Sequence, residues 1–295
     1  MATWVRLLVA LAIAVAGFGA RRLVSEDRPF NVLARALFYG VIPPTIFMAV
    51  VRAPSVPLIL LLTLVAALHM GIMLAATLGA SASRRSREAV TMACLSSMPN
   101  VVFLAFPVAI AVLGTVSPMI PYAVAFNALL PAVIAVLSSW FGSRASRPNP
   151  APHIAAFGAA VLLKWLSPGA AEVVASCTPL QQVLAALNLL AFAVVGSELA
   201  TSRISRALSR GVGVVALLRF VASPLLMLGL LSLAIHFASI PRVYWVGMLM
   251  QSVMAPAITN IVLTKVFNLD TELAATSIAV TTPASVAIAI AIASL

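Results

Sequence analysis

Two prolines set in the middle of long apolar runs mark where this chain could do chemistry. In "SSMPNVVFLAFPVAIAVLG", residues 96–114, Pro99 is followed at once by Asn100; in "QSVMAPAITN", residues 251–260, Pro256 precedes Asn260 by one helical turn. Proline lacks a backbone N–H and clashes with the preceding turn, so each should interrupt a helix. The carbonyls and amides so freed are tolerated at membrane depth only where they are buried in protein or line a cavity. Half-helix N-termini favour an anion there, and unwound carbonyls favour a cation. Asn100 adds an uncharged hydrogen-bonding group, and Asn127 and Asn260, each within about one turn of a proline, are secondary contacts. Arg219 is the one charge placed deep in an apolar run, where it either attracts a carboxylate or caps the carbonyl end of a broken helix. His69 either carries a proton or packs as a satisfied core residue.

The same residues exclude other chemistry. All seven acids, Glu26, Asp27, Glu88, Glu172, Glu198, Asp270 and Glu272, fall at the ends of apolar runs or between them, so no carboxylate is expected at the midplane. Cys94 and Cys177 are isolated and the three histidines widely separated, so neither a disulfide framework nor a metal site is expected, and no cofactor is implied. There is no HExxH, no aspartate-rich prenyl motif, and no Ser, His and acid set at compatible depth, which speaks against an intramembrane enzyme.

The elements that must position these residues follow from composition. Of 295 residues, 63% are hydrophobic and 8% charged, with mean hydropathy +1.13, far outside the soluble range. Apolar segments of about 20 residues read as membrane-spanning helices. No period-2 alternation runs through them, which excludes an outer-membrane barrel. Ten spans are expected, at 3–20, 32–51, 55–80, 89–113, 118–141, 154–174, 179–199, 211–237, 242–265 and 272–294. The first is read as a span and not a signal peptide, because "RR" follows it directly and its removal would leave nine.

Basic residues set the orientation. Of 18, the connections after spans 1, 3, 5, 7 and 9 hold or border 13: Arg21, Arg22, Arg28, Arg35, Arg84, Arg85, Arg87, Arg144, Arg147, Arg203, Arg206, Arg210 and Lys265. The other side has Arg6, Arg52, Lys164 and Arg242. This bias places the odd connections in the cytoplasm and both termini on the extracytoplasmic side of the inner (plasma) membrane. It also accounts for the +11 net charge without nucleic acid. The linker "GSRASRPNPAPH", residues 142–153, separates five spans (1–141) from five (154–295). Five is odd, so the halves enter the membrane from opposite sides, the condition for an inverted repeat. "LSSMPN" of span 4 answers "QSVMAPAITN" of span 9, and "ALLPAVIAV" of span 5 answers "TTPASVAIAI" of span 10.

At this level the residues resemble a known family. Asn100, Phe103, Leu104, Pro107 and Gly114 resemble the "N-x-x-F-L-x-x-P" and following glycine in the fourth span of the auxin efflux carrier family. "RALFYGVIPPTIFMAV" is similar to that family's second span, "LAFAVVGSELA" with Gly196 to the end of its seventh, and "RFVASPLL" to its eighth. The resemblance covers essentially the whole chain. It implies an all-α polytopic membrane protein of two inverted five-helix repeats, related in fold to bile-acid sodium symporters. Broken helices 4 and 9 would cross in a mobile domain of helices 3–5 and 8–10, moving against a scaffold of helices 1, 2, 6 and 7. Family members export auxin in plants, and bacterial relatives are associated with dicarboxylates such as malate and malonate. The family's glycines after the asparagine are here Val102 and Ala105, which narrows the approach to the crossing. The short linker favours a prokaryotic member.

The expected function is therefore secondary transport of a small organic anion, auxin-like or dicarboxylate, by alternating access of the elevator type, with substrate contacts from Pro99, Asn100, Pro256, Asn127, Asn260 and Arg219, and with His69 as the group for ion or proton coupling. A sodium- or proton-coupled symporter is the alternative within the class; an intramembrane enzyme or a receptor is the alternative outside it. The expected partners are the organic anion, membrane lipid and a second copy docked through the scaffold helices, with no nucleic acid.

Overall fold

A computed structural model describes residues 3–24, 26, 28–80, 86–141, 151–201 and 210–294. Most of the 142–153 linker lies outside these residues, as do Arg84, Arg85, Arg144, Arg147, Arg203 and Arg206. The described chain is helical throughout. It runs α1 (Thr3–Leu23), α2 (Arg28–Ala36), α3 (Ile42–Val51), α4 (Val56–Ala80), α5 (Arg87–Ser97), α6 (Ala105–Leu113), α7 (Ile120–Phe141) and α8 (Ala151–Leu166). There follow α9 (Pro168–Ala175), α10 (Thr178–Leu189), α11 (Ala191–Thr201), α12 (Arg210–Leu217), α13 (Ser223–Ala234), α14 (Arg242–Ser252), α15 (Thr259–Val266) and α16 (Thr271–Ser294).

Among the described residues, six stretches are long and apolar enough to cross a membrane: Arg28–Val51, Val56–Gly79, Ser117–Phe141, Thr178–Ser197, Arg210–Ala234 and Thr271–Ser294. They coincide with the expected spans 2, 3, 5, 7, 8 and 10. Spans 4, 6 and 9 are divided. Proline explains the divisions: Pro99 and Pro256 sit in the gaps between α5 and α6 and between α14 and α15, and Pro168 opens α9 just after α8 ends. Proline also widens helices without breaking them. A π-turn over Leu37–Val41 stands just ahead of Pro43 and Pro44, and another over Leu218–Ala222 just ahead of Pro224. Pro131 and Pro283 lie inside the continuous helices α7 and α16.

A contiguous apolar core runs through the bundle. Large apolar side chains also cover its outside: Leu8 on α1, Leu64 on α4, Leu166 on α8 and Leu225 on α13 are all more than half exposed. Apolar groups both inside and outside suit a protein solvated by lipid. The interior is held by close backbone approach as well as by side chains. A Cβ at Gly17 would stand 2.2 Å from the Ala193 carbonyl oxygen, and one at Gly196 would stand 2.0 Å from that of Ala14. Helices α1 and α11 therefore meet backbone to backbone, the contact that small residues permit.

Candidate functional site: the crossing of two interrupted helices

Helix α5 starts from Ser86, whose hydroxyl accepts from the Ala89 N–H at 3.2 Å, a regular N-cap. It ends in two serines whose hydroxyls donate back into the last turn, Ser96 to the Met92 carbonyl at 2.7 Å and Ser97 to that of Ala93 at 2.6 Å. Beyond them the chain leaves the helix through Pro99. Asn100 N–H, which a continuous helix would give to Ser96, donates instead to the Ala255 carbonyl at 2.7 Å. The second break answers reciprocally, with Ala257 N–H donating to the Met98 carbonyl at 2.9 Å. Pro99 and Pro256 thus face each other as an antiparallel pair. The two gaps cross and satisfy one another with two exchanged backbone bonds.

The exchange strands carbonyls at the end of each N-terminal half-helix, and buried polar side chains collect them. Ser96 has lost its N–H partner to the other chain segment, and Arg219 Nη1 donates to its carbonyl at 2.9 Å. Arg219 Nε donates to the Met254 carbonyl at 2.9 Å, and Nη2 donates to the same oxygen. The Ser252 carbonyl would pair with residue 256, which as proline has no N–H; Ser223 Oγ donates to it at 2.6 Å. Arg219 is fully buried, and its charge has a physical complement. Each helix C-terminus carries about half a negative charge, so two converging on one guanidinium offset about one unit.

His69 is tied to this arrangement through Ser223. Because Ser223 Oγ already donates to Ser252, it accepts from His69 Nε2 at 3.1 Å, and the Ser223 carbonyl lies 3.0 Å from the same nitrogen. The proton therefore resides on Nε2, and Tyr122 Oη donates to Nδ1 at 2.9 Å. Both ring nitrogens are engaged in a buried network that joins α4, α7, α13 and α14.

Of the residues singled out from the sequence, the structure brings Pro99, Asn100, Pro256, Asn260 and Arg219 together at the crossing. Asn260 Nδ2 donates to the Met98 carbonyl at 3.2 Å, and Asn260 Oδ1 is buried without a partner among the described residues. Asn100 Oδ1 accepts from the Leu104 N–H at 3.1 Å, which caps the chain as it re-enters helix α6. Asn127 is buried in α7, donating to the Ala123 carbonyl of its own helix at 2.7 Å. Sequence reading missed Ser96, Ser223, Tyr122 and Gln251. Gln251 Nε2 reaches the Val101 carbonyl at 3.3 Å, and its Oε1 has no partner among the described residues. Only Gln251 carried a legible signal, a polar amide in an apolar run about one and a half turns before Pro256.

Two cavities lie along the helices that make the crossing, the first at the break itself and the second at the far end of α6. One, of about 180 Å³, is almost wholly apolar and lies between α4, α5 and α7, reaching Ser97 and Met98. The other, of about 500 Å³, lies between α3, α10 and the turn after α6. Thr45, Arg52, Thr115, Ser117, Gln182 and Asn188 supply polar lining to it. Compared with known proteins, the chain matches no family model and no curated protein.

Proposed function

We propose that this protein is a secondary transporter for a small organic anion, working by alternating access. The observation that carries the proposal is the reciprocal backbone exchange at Pro99 and Pro256. Two interrupted helices that satisfy each other's amides form one unit, and this unit places half-helix ends of both signs inside the bundle. Such breaks are costly for a protein that has only to pack, and they are the usual means of building an uncharged ligand-handling centre within a membrane.

The proposal includes ten spans arranged as two inverted five-helix repeats, 1–141 and 154–295, with both termini extracytoplasmic. Spans 4 and 9 are then the divided pairs α5/α6 and α14/α15. Spans 3–5 and 8–10 move together against spans 1, 2, 6 and 7, consistent with the tight α1/α11 contact on one side and the His69, Ser223 and Tyr122 network on the other. The organisation and the class of cargo are those implied by the resemblance to auxin efflux carriers. Within the class, facilitated movement of the anion is favoured over sodium symport, because Arg219 already occupies the carbonyls that a coupling cation would need.

The test is flux in proteoliposomes with labelled monocarboxylates and dicarboxylates, imposed in turn with sodium, proton and no cation gradient. Recovery of the unchanged acid in the lumen supports transport, and chemical conversion would favour an intramembrane enzyme. Binding without flux would favour a receptor.

A further inference from the structure

We infer that the 500 Å³ cavity between α3, α10 and the turn after α6 is a binding site for a singly charged organic acid with an apolar body, its carboxylate held by Arg52. The inference rests on the transporter reading for its role in turnover and on the cavity alone for binding.

Size and lining come first. A volume of about 500 Å³ lies within the range of small-molecule sites, which is about 300–1,000 Å³. Arg52 is the one charged residue in the lining, and no acid faces it there. Gln181, Gln182, Thr115 and Ser117 surround it with neutral polar groups, while Met48, Val116 and Leu189 make an apolar wall. One cation beside an apolar surface suits one carboxylate on an apolar body. A second carboxylate would be taken from water with no cation to meet it.

Arg52 is also not needed as a helix cap. An arginine just past the end of a helix commonly caps its last carbonyls, and Arg52 directly follows α3. Here that role is already filled: Lys164 Nζ donates to the Val51 carbonyl at 3.0 Å and to the Ala53 carbonyl, the two that flank Arg52. Among the described residues, the Arg52 guanidinium faces no carboxylate, and its charged or titratable neighbour is the Tyr244 hydroxyl, which is uncharged and leaves the cation uncompensated; Arg219 and Lys164, by contrast, are both committed to backbone oxygens. Arg52 is moreover one of the few basic residues on the side that the charge bias leaves nearly empty.

The position of the cavity links occupancy to the crossing. Its third wall is the turn Gly114–Ser117, which Gly114 opens in the left-handed conformation at φ 73°. That turn ends α6, whose other end is anchored at the break by Asn100. In the proposed arrangement α3 and α10 belong to the scaffold and α6 to the mobile group, so an acid bound here touches both.

The test is calorimetric titration of the detergent-purified protein with benzoate, benzamide and terephthalate. Benzoate is expected to bind, with benzamide, which lacks the charge, and terephthalate, which adds a second, each at least tenfold weaker. Arg52→Gln should weaken benzoate at least tenfold, and Arg52→Lys should weaken it less, with both unliganded variants melting at the wild-type temperature. Failure of wild type to bind benzoate, equal affinity for benzamide or terephthalate, or unchanged binding in Arg52→Gln would each overturn the site. Flux in proteoliposomes separates this result from the functional reading. Flux without Arg52-dependent binding removes the site and leaves the transporter; Arg52-dependent binding without flux removes the transporter and leaves the site.

Discussion

Arg219 spans the crossing from Met254 to Ser96, with Nε 2.9 Å from one carbonyl oxygen and Nη1 2.9 Å from the other. A single planar side chain thereby joins the ends of half-helices from the two parts of the chain. Lysine could not do this, because an ammonium is a compact point charge without the guanidinium fork. Arg219→Met should leave both carbonyls buried without donors, at a cost of roughly 2–5 kcal/mol. Arg219→Lys should fall between Met and wild type. Melting temperatures of the three proteins in one detergent decide the matter; a methionine variant as stable as wild type would mean that water replaces the guanidinium.

The two prolines should behave as equivalents. Pro99→Ala restores an N–H that a continuous helix would use, and Pro256→Ala does the same in the second gap. Healing either gap competes with the exchange between Asn100 and Ala255 or between Ala257 and Met98. Flux is expected to fall in both variants while melting temperatures hold or rise, since the helices regain their own bonds. The measurement is initial flux set against melting temperature for each variant. Loss in one variant and normal flux in the other would argue that the breaks do not act as a pair.

How much of this was legible beforehand depends on the range of the interaction. The breaks were legible because proline acts on its own turn, so Pro99 and Pro256 announce themselves locally. Arg219 was legible as an anomaly, one charge in an apolar run, but its partners were not, since Met254 and Ser96 come from segments that meet only in the fold. For the same reason the role of Ser223 was hidden: its hydroxyl serves a carbonyl 29 residues away. The cavity at Arg52 was invisible in the sequence, where Arg52 was one basic residue on the sparsely charged side. Only the neighbouring Lys164, brought in from α8, reveals that Arg52 is not needed as a cap.

The α1/α11 contact should be intolerant of any side chain. Gly17→Ala would drive a methyl group against the Ala193 backbone and Gly196→Ala would drive one against Ala14, and neither backbone can swing aside as a flexible side chain could. Overpacking of this kind costs about 1–3 kcal/mol. Each variant should melt below wild type, and Gly19→Ala, where an added Cβ meets nothing within 4 Å, should not. Equal melting of the Gly17 and Gly19 variants would show that the helices separate freely.

Orientation is open to a test built on the native cysteines. Cys177 is exposed in the short connection between α9 and α10, and Cys94 is buried in α5. The proposed topology puts the first of these connections outside, where an impermeant maleimide should label Cys177 in intact cells while Cys94 stays unreactive. With Cys177→Ser as background, cysteines introduced at Arg84 or Arg206 belong to the basic, cytoplasmic connections and should be labelled only after permeabilisation. Labelling at Arg206 but not at Arg84 in intact cells would place the second half the wrong way round. The inverted arrangement would then be lost, since with the halves related by inversion Arg206 must share its side with Arg84. Labelling of Cys177 only after permeabilisation, with the cysteines at Arg84 and Arg206 both labelled in intact cells, would reverse the whole protein and leave the inversion intact, so agreement between Arg84 and Arg206 tests the repeat and Cys177 tests the sidedness.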